Sequence, residues 1–260
     1  MRDPVKIAPV RMKKPTFRLF SPETGTEYWI FIDAPKSPGP WPAVTFMDGD
    51  DMFAAAVAGY QTLPAGKAPP LLLVGVGYGG SFGRPANRRG RDYTPAHHSD
   101  EPDSGGADAF LKFLSVTLWP ELAKRYLIDQ SQRGIAGHSL GALLALHALF
   151  QPKPFFTHFL ASAPSAWWAD HAILRQAADL RARHSVLPGR LFLSVGEKDS
   201  VSTLADFALL ETQLAAKPFE QLKIVSRRFP KKTHFNVLSV AFQTGLQELF
   251  GDPKGRALLS

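Results

Sequence analysis

The chain has 260 residues, of which 45% are apolar, and its 30 Lys and Arg outnumber 23 Asp and Glu for a net charge of +7. The absence of cysteine excludes disulfides, a thiol nucleophile and a cysteine-ligated zinc. A pI of about 9.7 admits a nucleic-acid binder, but with no recognition motif or basic helix beside it the charge reads as a basic surface, and no nucleic-acid partner is expected.

In chain order, residues 1–20 carry Arg2, Lys6, Arg11, Lys13, Lys14 and Arg18, and Pro4, Pro9 and Pro15 interrupt any apolar run. Neither a signal-peptide core nor a membrane span is read there. The expectation is a cytoplasmic chain with no membrane association, or a periplasmic one if a leader has been trimmed. Thr16 to Phe20 and Glu27 to Ile32 read as strands joined by the turn Ser21-Pro22-Glu23-Thr24-Gly25, an antiparallel hairpin at a sheet edge. Ala43 to Met47 and Pro70 to Val76 are continuous apolar runs of the kind found in parallel sheets covered on both faces.

A long polar segment, Gly77 to Ser104, precedes a helix from about Gly106 that Trp119-Pro120 breaks or kinks before Leu122. A short buried strand follows, ending at Gly137, and then the helix Leu143 to Phe150. The remainder alternates: the apolar run Phe155 to Ala161, a helix Ala172 to Arg183, a strand Arg190 to Val195, a helix Leu204 to Ala216, a strand Leu222 to Phe229 and a closing helix Val237 to Phe250. Strands alternating with helices from residue 43 onward predict one α/β domain over residues 1–260, built on a doubly wound, mostly parallel sheet. No repeat or domain break is evident.

Gly137-His138-Ser139-Leu140-Gly141 matches the Gly-x-Ser-x-Gly nucleophile elbow. A strand turning directly into a helix brings two backbones too close for a Cβ at either glycine, and it holds the apex serine at positive φ. In open α/β sheets the working groups sit at the carboxyl ends of strands. The strand ending at Val195 runs into Gly196-Glu197-Lys198-Asp199, which offers Asp199 as the acid and Glu197 as the fallback. The next strand leads to His234, so the order Ser139, Asp199, His234 is the one α/β-hydrolases use. His147 lies two helical turns beyond Ser139 and is read as a packed or capping histidine.

An oxyanion needs two donors. The N–H of Leu140, at the amino end of the elbow helix, is one; that of Gly49 or Asp50, after the Ala43 to Met47 strand, is the other. Asp48, Asp50 and Asp51 lack the ligand spacing of a metal loop, and His97-His98-Ser99-Asp100-Glu101 is a second grouping of metal-type side chains. No metal or other cofactor is expected. Arg84, Arg88, Arg89 and Arg91 fall in one loop, and Arg227, Arg228, Lys231 and Lys232 in another. If both border one cleft, they attract an anionic substrate.

Asp48-Gly49-Asp50, Arg91-Asp92-Tyr93-Thr94-Pro95, Gly105 to Leu111, Ala136 to Gly141, Ser162-Ala163-Pro164-Ser165-Ala166-Trp167-Trp168 and the Gly196 to Asp199 and His234 loops together resemble the putative-esterase family of α/β-hydrolases. Within it, they are most similar to the branch of siderophore esterases that cut trilactone ferric chelators. The resemblance implies Ser139 as nucleophile and His234 as its base, with an acid that is less uniform in that branch. It also implies that Arg91 holds an anionic or catecholate group and that Trp167 and Trp168 give the site an apolar wall. His138 is counted among the candidate substrate-facing residues, although neighbours on so tight a turn point apart. The expected activity is hydrolysis of a small anionic or aromatic ester through an acyl-enzyme on Ser139. The alternatives are acyl transfer on the same fold and non-catalytic binding of an anionic ligand.

Overall fold

The computed structural model describes residues 14–251; the basic stretch read at residues 1–13 lies outside them. Eight strands, β1 (Phe17–Ser21), β2 (Thr26–Asp33), β3 (Trp41–Phe46), β4 (Leu72–Gly77), β5 (Ile128–His138), β6 (His158–Ser162), β7 (Val186–Gly196) and β8 (Glu220–Phe229), form one sheet in the order β1-β2-β4-β3-β5-β6-β7-β8. β1 pairs antiparallel with β2 and β2 with β4, and every pairing from β4 to β8 is parallel. The hairpin expected from the turn at Ser21 to Gly25 is therefore the antiparallel edge of a parallel sheet.

The helices are α1 (Phe53–Gln61), α2 (Arg89–Asp92), α3 (Ala107–Lys112), α4 (Trp119–Arg125), α5 (Leu140–Leu149), α6 (Trp168–Arg183), α7 (Val201–Ala216) and α8 (Leu238–Phe250). Alternate residues of the central strands feed two cores. Leu72, Val74, Ile135, Phe159, Leu191 and Leu193 join the core under α3 to α7, whereas Leu73, Val44, Ala136, Leu160 and Phe192 join the core under α1 and α8. Every residue of α5 from Gly141 to Leu149 is buried, which explains why its sequence is apolar all round rather than amphipathic.

One expectation changes, and another holds with an added turn. The break placed at Trp119-Pro120 is instead a wide π-helical turn, Phe113–Leu118, that joins α3 to α4 without interruption. The wider turn frees backbone groups ahead of a proline that cannot donate. α6 begins at Trp168, but Ala169, Asp170 and His171 have φ of 47°, 51° and 61°, so the right-handed part starts at Ala172, where the apolar spacing places it. Three left-handed residues with side chains cost about 1–2 kcal/mol each. They are held by the Arg175 guanidinium, which donates to the Ala169 carbonyl at 2.7 Å and to the Asp170 carbonyl, and by His171 Nε2 at 2.8 Å from Asp206 Oδ1.

Candidate active site

The parallel register brings the carboxyl ends of β3, β5, β6, β7 and β8 level, with His138 opposite Ser162, Ser162 opposite Ser194 and Gly196 opposite Phe229. Ser139 sits on the turn from β5 into α5 at φ 57° and ψ −118°, a conformation that costs a non-glycine residue about 1–3 kcal/mol. It is possible because position 137 is glycine: a Cβ there would collide with the Gly141 backbone. The Ser139 N–H donates to the Ser162 carbonyl at 3.0 Å, and its carbonyl accepts from Ala142 and Leu143, which starts α5.

The acid and histidine loops meet through a second glycine. A Cβ on Gly196 would strike the Lys232 carbonyl, so the loop carrying His234 packs directly on the end of β7. Lys198 N–H donates to the Lys232 carbonyl at 2.8 Å. The result is a 2.9 Å contact between Asp199 Oδ2 and His234 Nδ1, with the Asp199 side chain 2% exposed and that of His234 27%. Asp199 Oδ1 accepts from the Ser200 N–H at 2.7 Å. That N–H opens α7, whose amino end favours a carboxylate. Glu197 is exposed and makes no hydrogen bond to His234 among the described residues. The Ser139 hydroxyl lies 3.2 Å from Ser165 Oγ, and among the described residues it makes no hydrogen bond to His234.

His138, a candidate substrate-facing residue, lies at the carboxyl end of β5. It is buried, with its ring centroid 4.5 Å from that of His234 and Nδ1 3.2 Å from Ser162 Oγ. Burial first, then the charges of His234 and Arg89, lower its pKa to about 3, so a neutral imidazole packs against the His234 ring at an interplanar angle of 55°.

On the β3 loop, the Gly49 N–H is already used: it donates to the Val76 carbonyl at 2.8 Å. Of the two candidate donors there, the Asp50 N–H is the one that has no acceptor among the described residues, as is the Leu140 N–H at the start of α5. The three aspartates are satisfied by protein donors. Asp50 accepts from Tyr78 N–H at 2.5 Å and Gly79 N–H at 3.1 Å, and Asp51 accepts from Phe82 N–H at 3.0 Å. Asp48 is buried at φ 57° and receives both Nε and Nη2 of Arg89, at 2.9 and 3.1 Å. Burial pushes the Asp48 carboxyl up, against the pull of that guanidinium. The Asp48 N–H donates to Tyr93 Oη at 3.0 Å.

Arg89, not Arg91, is the arginine of α2 directed at the β3 loop. α2 turns about 100° per residue, which puts Arg89 and Tyr93 on one face toward Asp48 and Arg91 on another. Arg91 donates through Nε to Asp92 Oδ1 at 2.7 Å and through Nη2 to Thr26 Oγ1 at 2.8 Å, so it is turned toward the hairpin. The sequence signal was the i, i+4 pair Arg89 and Tyr93.

The two tryptophans separate. Trp168 is 5% exposed, and its indole N–H donates to the Ala96 carbonyl at 2.8 Å, whereas Trp167 is 46% exposed. His98 packs against both, at centroid distances of 6.2 Å from Trp167 and 5.1 Å from Trp168. Phe235, which sequence reasoning passed over, is 85% exposed beside His234. Of the second basic group, Arg227 pairs with Glu248 and Arg228 with Glu211, leaving Lys231 and Lys232 on the His234 loop. His147 bridges Asp108 Oδ1 at 2.7 Å and Gln176 Oε1 at 2.8 Å, consistent with a packing role behind α5. Among the described residues no helix is long and apolar enough to cross a membrane.

Comparison with known proteins places this geometry. The chain is 28% identical over 244 residues to the ferri-bacillibactin esterase of Bacillus subtilis, covering 85% of this chain and 83% of that protein. It is 35% identical over 145 residues to the siderophore triacetylfusarinine C esterase of Aspergillus fumigatus, covering 54% of this chain and 49% of that one. The fold is shared with the crystal structure of the BES protein of Bacillus cereus, at a TM-score of 0.81 and 24% identity over 97% of this chain and 100% of that one. The model of the family described as "Putative esterase" matches residues 21–235. That span runs from the end of β1 to the residue after His234 and takes in every loop that meets at the carboxyl ends of the strands, and the chain belongs to this esterase family, with the α/β-hydrolase fold.

Proposed function

We propose that the protein is a serine hydrolase of siderophore-type esters, working through an acyl-enzyme on Ser139. The observation that carries this reading is the strained serine at the amino end of α5, at the same end of the sheet as the half-buried Asp199–His234 pair. The ester carbonyl oxygen sits between the N–H groups of Leu140 and Asp50, where the positive end of α5 favours the charge that develops on it. His234 Nε2 takes the Ser139 proton and passes it to the leaving alcohol; Asp199 keeps the proton on Nδ1 and stabilises the imidazolium. Water then releases the acyl group.

The substrate class rests on the rim. Trp167, Phe82 and Phe235 are exposed aromatic side chains, and Arg84, Arg88, Lys231 and Lys232 are cations on the loops that carry or adjoin them. Aromatic faces beside positive charge suit an anionic, aromatic ester such as a ferric catecholate. The names of the relatives support the same chemistry. The test is a hydrolysis screen, read by mass spectrometry, of a ferric trilactone, a ferric hydroxamate ester, a feruloylated sugar, an acetylated glycan and p-nitrophenyl butyrate, with glycerol as a competing acceptor. Expected is a kcat/KM at least about 100-fold higher for a ferric siderophore ester than for p-nitrophenyl butyrate, with free acid as product. Turnover of the simple acyl ester alone, or acyl glycerol as the main product, would count against the proposal.

A further inference from the structure

We infer that Ser165 is a second hydroxyl of the catalytic centre, donating a hydrogen bond to Ser139 Oγ as that oxygen adds to the acyl carbon and again as it leaves. The inference rests on the reading of Ser139 as nucleophile.

Ser165 Oγ lies 3.2 Å from Ser139 Oγ. It is held there by a built frame. Ala163, at φ 44° with its N–H on the Ser194 carbonyl at 2.7 Å, turns the chain after β6 back over the elbow. The Ser165 N–H donates to the Ser139 carbonyl at 3.2 Å, and the Ser165 carbonyl accepts from the Trp168 N–H at 3.2 Å. Trp168 is anchored in turn by its indole bond to Ala96. Ser165 is buried, and Ser139 Oγ is the partner its hydroxyl has among the described residues. A buried hydroxyl directs its hydrogen at an acceptor within reach.

The direction of that bond follows from proton accounting. When Ser139 is to be attacked by no one and must itself attack, its hydrogen has to point at His234 Nε2, which leaves Ser165 as the donor of the pair. In acylation the Oγ–carbon bond forms and the ester bond breaks. The proton goes from Ser139 to His234 and then to the leaving alcohol. While that proton is leaving and the new bond is only partly made, Oγ carries negative charge that a donor stabilises, and deacylation crosses the same kind of state in reverse. In deacylation His234 takes a proton from water, the water oxygen adds to the acyl carbon, and the carbon–Oγ bond breaks. Negative charge now develops on Oγ before His234 returns the proton. At that moment a donor 3.2 Å away stabilises the leaving oxygen. Ser165 transfers no proton itself, so the balance is unchanged.

The experiment is stopped-flow hydrolysis of p-nitrophenyl butyrate by the full chain and by Ser165→Ala and Ser165→Thr. Ser165→Ala is expected to lower both kcat and kcat/KM by about 10- to 100-fold while its thermal unfolding midpoint stays at the wild-type value. Ser165→Thr, which keeps the hydroxyl, is expected within about threefold of wild type in kcat/KM. Wild-type kcat/KM in Ser165→Ala, or a loss in Ser165→Thr as large as that in Ser165→Ala, would overturn the inference. Titration of the wild type with a fluorophosphonate separates the two levels: no label on Ser139 defeats the nucleophile reading itself, whereas a labelled Ser139 with wild-type rates in Ser165→Ala defeats only the role of Ser165.

Discussion

Replacing Asp199 by Asn measures how much of the chemistry depends on the charge beneath His234. The carboxylate lies 2.9 Å from His234 Nδ1 and its side chain is 2% exposed, so water screens it little. Two unit charges about 4 Å apart, at an effective dielectric of about 20, attract by about 4 kcal/mol. That attraction is gained as His234 becomes an imidazolium on taking the Ser139 proton. Its loss raises the barrier by a similar amount, about 10³-fold in kcat/KM. An Asn amide turned toward Nδ1 also moves the ring proton to Nε2, where it blocks proton uptake, and this carries the loss toward about 10⁴-fold. The assay is kcat/KM on p-nitrophenyl butyrate, with thermal denaturation to confirm the fold. Glu197→Gln, on an exposed side chain without a bond to His234, should stay within about threefold. An Asp199→Asn enzyme within tenfold of wild type, or a larger loss in Glu197→Gln, would refute the reasoning.

Three further outcomes are expected. Arg89→Leu leaves the buried Asp48 carboxylate unpaired, a loss of about 3–5 kcal/mol and on the order of 10 °C in Tm for a chain of this size. Arg91→Leu leaves Asp92 its bonds from the Tyr28 and Tyr78 hydroxyls and should cost less, so differential scanning calorimetry that ranks the two the other way would contradict the assignment. Burial lowers His138 to about 3 and His158 to about 4, both below the value of about 6.5 in the unfolded chain. The fold therefore keeps full stability above pH 6.5 and loses it as pH falls, because the unfolded chain takes up the protons first; at pH 5 each histidine accounts for about 2 kcal/mol. Urea unfolding at pH 7.5 and 5 reads this, and His158→Phe, which preserves the stack on Phe250, should recover about half of the histidine-linked loss. Phe235→Ala and Trp167→Ala should each raise KM for an aromatic ester about fivefold, some 1 kcal/mol of stacking, while leaving p-nitrophenyl acetate nearly unchanged; equal effects on both substrates would remove these residues from the substrate wall.

The parallel strands were legible because both faces are covered, which leaves continuous apolar runs such as Leu71 to Val74 between turn residues. The elbow was legible because its glycines have a steric cause. α1 was not: Phe-Ala-Ala-Ala-Val-Ala-Gly-Tyr-Gln from Phe53 is nearly uniform in hydropathy, so no helical period stands out even though Phe53, Ala56 and Gly59 face the core. The choice between Arg89 and Arg91 depends on the phase of a four-residue helix whose start the sequence does not mark. Glycine 49 looked as available as Asp50, because nothing local says that the Val76 carbonyl takes its N–H. Ser165 and the left-handed turn at Ala169 to His171 are settled by contacts across the fold, with Ser139 in one case and with Arg175 and Asp206 in the other.

The central claim is that one serine carries the acyl group. It is tested most directly by treating the protein with a fluorophosphonate, following esterase activity as the label accumulates, and mapping the adduct by peptide mass spectrometry. One adduct per chain on Ser139, activity falling in proportion to labelling, and a folded Ser139→Ala that has lost at least about 10³-fold in rate are the predicted result. Full labelling of Ser139 with activity retained, or a Ser139→Ala enzyme that hydrolyses at the wild-type rate, would contradict it.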